Sequence, residues 1–426
     1  MRFSLINPPW TFEQSIYFGC REPHLPLEYG YSRVLLEKAG HAVQIVDAQL
    51  DALNLQDIYD AVRAFETDFA VVTTAPSYLF WRCAPPELRV PQQVTDILRD
   101  LPCTLVAVGP HTSTTPRAAV SKLGVDVAVM GECEDILPRI ASDDWSNIES
   151  ICYPASGGLR VQGTPHATNM NELPDLHWSK ETIARHHHHH HRFEAKPTGP
   201  GAEMETSRGC PYHCTFCAKD NFRNAFRRRP VDVVARELDG LVDAGVEYVY
   251  FIDEIFLPYA PVLQAIAERR IKFGIQTRID LWNHEMIDLL GRAGCVSIEA
   301  GVESITETGR DLLAKKCKLS TGELTDRLLY AKERVPFVQA NLLDCQSDDA
   351  EEVENWRQHL QEHGVWSNKP VPLFPYPGSP DYTLRWGQAD DNAWERAHEF
   401  YLSQFDEFSD IQEQRPATLV QLETRK

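Results

Sequence analysis

The sequence predicts an α/β protein in two strand–helix arrays: a doubly wound parallel sheet, then six further β/α units. Three observations carry this expectation. Short apolar runs alternate with helix-periodic segments from residue 1 to about 142, and again from 199 to 382. The runs are apolar on both faces, as strands covered on both sides by helices require. Glycines such as Gly40 and Gly124 follow the helical segments, where left-handed C-caps are expected. With 426 residues the chain has room for two or three domains. Its 43% hydrophobic and 24% charged residues allow sizeable cores.

In the first array the expected strands are 2–7, 41–48, 68–75, 103–111 and 125–132, with helices at 26–40, 54–66, 90–101 and 116–124. A linker at 146–198 follows the first domain, 1–145. It holds a hairpin around Ser156-Gly157-Gly158 and a run of six histidines, 186–191, read as a tract with no catalytic role. The second array, 199–382, begins with a strand at 202–206. Strands at 247–254, 272–280, 296–304, 336–345 and 371–376 then alternate with helices. A short helical module, 383–426, ends the chain.

The chemistry concentrates in Cys210-Pro-Tyr-His-Cys214-Thr-Phe-Cys217, directly after the first strand of the second array. Three thiols from one loop suit an iron–sulfur cluster or zinc. Structural zinc sites ordinarily add a fourth ligand at comparable spacing, and none follows here. In the first array the strand ends read Asn7-Pro8-Pro9, Asp47-Ala48, Thr73-Thr74-Ala75-Pro76-Ser77, Gly109-Pro110-His111 and Gly131-Glu132. Open parallel sheets bind ligands at such carboxyl ends, and small, backbone-rich residues let a large flat ligand approach. Ordinary strand-to-helix turns are the plain alternative. The arginines Arg223, Arg227, Arg228 and Arg229 form a basic turn beyond the cysteines, read either as a solvated turn or as an anion contact.

The C-x3-C-x2-C loop, with Phe216 before its last cysteine, resembles the radical S-adenosylmethionine (SAM) enzymes. The order NPP, PLxxGY (Pro26 to Tyr31), VGPH and VDVAVMGECE resembles the cobalamin-binding domain that precedes many radical SAM domains. Ile298-Glu-Ala-Gly-Val-Glu-Ser304 and Pro375-Tyr-Pro-Gly-Ser-Pro-Asp-Tyr382 are similar to the family's GxES strand and PYPGTPLY element. The resemblance implies a Rossmann-like cobalamin domain and a partial (β/α)6 barrel. It implies a [4Fe–4S] cluster on Cys210, Cys214 and Cys217 that cleaves SAM to a 5′-deoxyadenosyl radical, with methylcobalamin supplying a methyl group. SAM contacts then fall to Phe216, Asp253, Glu254, Gln276, Arg278, Glu303 and Ser304, and the substrate wall to Tyr376. Cobalamin contacts fall to Asn7, Pro8, Pro9, Thr73, Thr74, Ala75, Ser77, Gly109, Pro110, His111, Gly131 and Glu132.

One departure stands out. The D-x-H-x-x-G motif that supplies a cobalt-ligating histidine in other cobalamin domains is absent, and Asp175-Leu-His177 is the nearest string. His111 is the rim histidine weighed as an axial ligand, against a loop-packing or corrin-edge role.

The expected activity is methylation of an unactivated carbon in a small metabolite or natural-product intermediate. The alternatives are radical cyclisation, rearrangement or oxidation without methyl transfer, a non-catalytic cobalamin or redox sensor, and a zinc-stabilised scaffold. A flavodoxin or ferredoxin is the expected electron donor. The formal charge of -20 disfavours nucleic acid as a partner. No apolar run approaches the ~20 residues that span a bilayer. The scattered cysteines read as reduced thiols, and together these point to the cytoplasm.

Overall fold

The computed structural model describes residues 1–17, 22–76, 83–186, 199–223, 225–404 and 415–424. The first sheet comprises β1 (Arg2–Asn7), β2 (Ala42–Asp47), β3 (Phe69–Thr73), β4 (Thr104–Val108), β5 (Val127–Val129), β6 (Ile151–Ala155) and β7 (Gly158–Gln162). Their order is β2-β1-β3-β4-β5-β6-β7. β1 to β5 are parallel, and β3 and β2 flank β1, so the connection reverses direction between β1 and β3. That reversal is the switch point where doubly wound sheets hold ligands. Asn7 and Thr73 end the two strands beside it.

Local chemistry explains the boundaries. Asn54 and Asp57 close a capping box at the start of helix Leu55–Ala64, and Gly124 ends helix Pro116–Leu123 in the left-handed conformation. Two expectations shift. The segment at 103–111 leaves the sheet at Val108, because Pro110 and His111 open a short helix, Pro110–Thr114. Proline suits a first helical turn, where its missing N–H costs nothing. The linker hairpin, for its part, adds β6 and β7 antiparallel to β5, carrying the sheet to Gln162, beyond the expected boundary at 145.

The second array contains β8 (Gly201–Met204), β9 (Ser207–Arg208), β10 (Arg227–Arg228), β11 (Tyr248–Phe251), β12 (Lys272–Thr277), β13 (Cys295–Glu303), β14 (Phe337–Asp344), β15 (Trp366–Ser367) and β16 (Val371–Pro372). The parallel strands run β15-β14-β13-β12-β11-β8, with β16 also on β14, giving an open, partial barrel. The last expected strand, 371–376, shortens to two residues, since the prolines that follow cannot donate to a ladder. β15 was not foreseen, and nor were the helices Pro380–Trp386 and Leu419–Thr424.

The two arrays share a core. Phe12, Leu27, Tyr31 and Ala75 pack in one apolar cluster with Met204, Phe251 and Ile298 of the barrel. His186, the first histidine of the six, is fully buried, with Nδ1 2.8 Å from the Gly201 carbonyl and Nε2 3.2 Å from Glu203. That residue holds the barrel's first strand rather than belonging to an idle tract. His187 to His191 lie outside the described residues.

Candidate active site

The cysteine loop leaves β9 at the carboxyl end of the barrel strands, and its approach is tied down residue by residue. Asp253, just beyond β11, accepts the Thr206 N–H at 2.7 Å, the Thr206 hydroxyl at 2.6 Å and the Ser207 hydroxyl at 2.7 Å. Burial pushes the Asp253 carboxyl up to about 7, against the pull of those donors. Glu254 accepts the Gly209 N–H at 2.7 Å and pairs with Arg223 Nη1 at 2.6 Å. Gly209 has φ +76°, and a Cβ there would run into the Ala225 carbonyl. Both carboxylates expected to face a SAM ammonium therefore hold the loop's entry.

Cys210, Cys214 and Cys217 are each half-buried. Burial pushes the Cys210 and Cys214 thiols up, Cys214 to about 11 despite the cations Lys315 and Arg278. The metal-free loop thus holds thiols, and metal uptake must release protons. A three-sulfur donor set from one loop fits a cluster with one iron left for another ligand.

Around Cys214 the barrel supplies charge. Arg278 donates through Nη1 to the Lys315 carbonyl at 2.6 Å, pairs with Asp280 at 2.7 Å and lies over the Tyr212 ring at 4.1 Å. Lys315 donates to the Gly301 carbonyl at 3.0 Å and pairs with Glu303. β13 slips register against β14 between Gly301 and Glu303, and Glu303 sits at φ +65°. A bulge that forces a non-glycine residue into the left-handed region re-aims its side chain, a device common beside active sites. The pair of cations fits a carboxylate-bearing ligand such as SAM.

Gln276 lies on β12 with its amide 3.4 Å from Glu299, and Phe216 sits half-buried in the cysteine loop. Ser304 donates to Asp348 at 2.8 Å, which fixes the turn after β13. Lys315 was missed as a site residue. Its signal, the lysine pair 315–316 after the GxES-like strand, was in the sequence.

On the first sheet, Asn7 donates to Asp47 at 2.8 Å and accepts from Trp10 Nε1 at 2.8 Å. Burial raises the Asp47 carboxyl to about 6. Pro8 is buried and Pro9 partly so. Thr73 donates to the Ala75 carbonyl at 2.7 Å. A Cβ at Gly109, φ +121°, would strike Thr74, so the rim is small by necessity. Small residues at a topological switch point fit a broad ligand such as a corrin. Ser77 lies outside the described residues.

His111 Nε2 is hydrogen-bonded to the Pro85 carbonyl at 2.9 Å, and its ring stacks on Trp394 at 4.1 Å. Of the roles weighed for it, packing is the one this geometry displays. Tyr376 is buried between Phe374 and Trp394, and its hydroxyl has no hydrogen-bond partner among the described residues.

Gly131 and Glu132 follow β5 and do something else. A Cβ at Gly131 would collide with the His166 backbone. Glu132 is fully buried and accepts from Arg227 at 2.6 and 3.0 Å, with Arg208 at 3.1 Å. Most of the basic turn thus faces internal carboxylates: Arg223 and Arg229 are buried and paired with glutamates, Arg227 reaches Glu132, and Arg228 is exposed.

Residues 204–355 match the family model described as the radical SAM superfamily. Residues 204–355 therefore carry a radical SAM domain. The match begins on β8 and takes in the cysteine loop, Asp253, Glu254, Arg278 and Lys315.

An uncharacterised methyltransferase of Pyrococcus horikoshii is 23% identical over 89% of this chain and 82% of its own length. The hopanoid C-3 methylase of Methylococcus capsulatus is 25% identical over 81% of this chain and 65% of its own length. The structure of the radical SAM methyltransferase TsrM from Kitasatospora setae, which holds cobalamin and a [4Fe–4S] cluster, superposes with a TM-score of 0.71 at 18% identity. That superposition covers 96% of this chain and 86% of TsrM. The chain therefore has the two-part fold of the cobalamin-type radical SAM enzymes. Among the described residues no helix is long and apolar enough to cross a membrane.

Proposed function

We propose that this radical SAM protein is a cobalamin-dependent methyltransferase acting on an unactivated carbon of a small molecule. One observation carries the reading. The three cysteines leave the carboxyl end of a partial barrel on a loop braced by Asp253 and Glu254, beside the cations Arg278 and Lys315. The same loop is joined by buried ion pairs to Glu132 and Glu134, just beyond β5 on the rim of a sheet with a switch point.

When bound, the cluster and SAM would supply a carbon radical and cobalamin a transferable methyl group. The chain's own work is to hold and exclude. Cys210, Cys214 and Cys217 would hold the cluster. Arg278 and Lys315 would take the SAM carboxylate, with Gln276, Glu303 and Phe216 lining the same side. Asn7, Thr73, Thr74 and Gly109 would form the cobalamin shelf. Tyr376, whose buried hydroxyl has no hydrogen-bond partner among the described residues, would meet a polar substrate atom. A ferredoxin or flavodoxin would deliver the electron.

The experiment is anaerobic reconstitution followed by incubation with SAM carrying a labelled methyl group and extracts of small metabolites. A labelled product with a one-methyl mass gain supports the reading. Steady SAM cleavage with unlabelled, cyclised or oxidised product would replace methylation with another radical outcome.

A further inference from the structure

Between the two arrays lies a buried ionic network that the cofactor chemistry does not by itself require. From the first sheet it takes Glu132 and Glu134, which follow β5. From the barrel it takes Glu205, Arg208, Arg223 and Glu254. The side chains of Arg208, Arg223, Glu132, Glu134 and Glu205 are inaccessible to solvent. Arg208 reaches Glu132 at 3.1 Å, Glu134 at 2.6 Å and Glu205 at 2.6 Å. Arg223 reaches Glu254 at 2.6 Å, with Glu205 at 3.4 Å and Glu132 at 3.5 Å.

Two routes then run from Glu132 to the cysteines. Arg208 is covalently two residues before Cys210. Arg223 holds Glu254, whose other oxygen takes the N–H of Gly209, next to Cys210. Glu132 itself is clamped from its own side. The Thr168 N–H donates to it at 2.8 Å and its backbone N–H donates to the His166 carbonyl at 3.0 Å. It cannot move independently of the first sheet's rim.

Burying several charges is costly and is recovered only with good geometry on every partner. Burial alone would raise the Glu132 carboxyl, yet Arg208, Arg227 and Arg223 bring it down to about 2, so the charge persists at neutral pH. A network this demanding, aimed at one loop, has a sharper use than adhesion, which the shared apolar core already provides.

We propose that Glu132 is a positioning residue: through Arg208 and Arg223 it sets the cysteine loop, and with it the cluster environment, from the first sheet. The inference rests on the functional reading above. It makes the cluster's surroundings respond to what the rim of the first sheet holds, since Glu132, just beyond β5, and Gly209, the residue before Cys210, share one chain of ion pairs and hydrogen bonds. Outer partners of metal ligands act in this way, and their loss typically costs about 10–100-fold in metal affinity or activity.

The test uses the full chain, reconstituted anaerobically, as parent, Glu132→Gln and Glu237→Gln. Glu237 pairs with Arg229 at 2.7 Å and accepts the Leu176 N–H at 2.8 Å, an equally buried link that bypasses Arg208, Arg223 and Glu254. For each we would record thermal stability, the electron paramagnetic resonance spectrum of the reduced cluster, and the rate of iron loss to a chelator. Glu132→Gln is expected to shift the cluster spectrum and to release iron about tenfold faster. Glu237→Gln, though comparably destabilised, should keep the parent spectrum and rate.

If both variants keep the parent spectrum and lose iron alike, Glu132 is interface mortar and the proposal is overturned. Should Glu132→Gln not fold, Arg208→Lys takes its place with the same two outcomes, keeping the charge and removing the fork. A parent chain that takes up no iron–sulfur cluster would overturn the functional reading. A parent cluster with unshifted variants overturns only the positioning role.

Discussion

Glu254 accepts the Gly209 N–H at 2.7 Å, one peptide ahead of Cys210, and its second oxygen takes Arg223 at 2.6 Å. A side chain just beyond one barrel strand, β11, therefore anchors the loop that leaves another. Replacing Glu254 with Gln preserves one acceptor and leaves Arg223 short of its nearest counter-charge. Breaking a buried pair from one side costs about 3–5 kcal/mol. We expect a loss in that range by urea unfolding of the metal-free chain, against a negligible change for the exposed pair Arg63–Asp60.

Gly209→Ala should be worse for the site than for the fold. The new methyl meets the Ala225 carbonyl, and φ +76° penalises any side chain. The expected result is a folded chain that retains well under half of the parent's iron after reconstitution, measured by metal analysis. Full iron retention would mean the loop is not held where the geometry places it.

Glu28 gives a pH dependence. It is fully buried, neither carboxyl oxygen has a hydrogen-bond partner among the described residues, and burial lifts its pKa from 4.5 to about 8. Between those values the folded chain keeps a proton that the unfolded chain has released. Its stabilising contribution is complete below about 4.5 and is lost as pH rises toward 8. Stability should fall with pH across this window by up to ~1.4 kcal/mol per unit from this group. Unfolding free energies of parent and Glu28→Gln between pH 5 and pH 8 should converge in slope if the account fails, and diverge if it holds.

Much of this was legible in the sequence for a physical reason: strands and cysteine spacing are local. β1 was placed to the residue, and Cys210, Cys214 and Cys217 stand on the expected loop. What escaped was set by distant partners. Nothing near Glu132 in the chain says that Arg208, Arg223 and Arg227, far later in the sequence, will converge on it. The basic turn accordingly read either as solvated or as a contact for an anion, and not as the partner of Glu132. Asp253 and Glu254 were expected to meet the SAM ammonium from the family resemblance alone; their hydrogen bonds to the loop's own N–H and hydroxyl groups come from chain some 45 residues earlier and carried no local signal. The end of the 103–111 strand failed more simply: Pro110 opens a helix as readily as it ends a strand.

Trp394 docks the C-terminal helix, Ala393–Gln404, onto the rim of the first sheet, stacking on His111 at 4.1 Å and donating to the Thr115 hydroxyl at 3.1 Å. Trp394→Ala should cost about 3–5 kcal/mol. Amide exchange would report where, with protection falling in that helix and in residues 110–115 while β11 to β14 stay protected. Uniform loss across the barrel would show that the contact is not local.

The most direct test of the central claim is anaerobic reconstitution of the parent chain and of Cys214→Ala, followed by metal analysis and by measurement of 5′-deoxyadenosine formed from SAM under reduction. The account predicts iron and sulfide in the proportions of a [4Fe–4S] cluster and SAM cleavage in the parent, with both lost in the variant. Zinc in place of iron, or an intact cluster that never cleaves SAM, would contradict it.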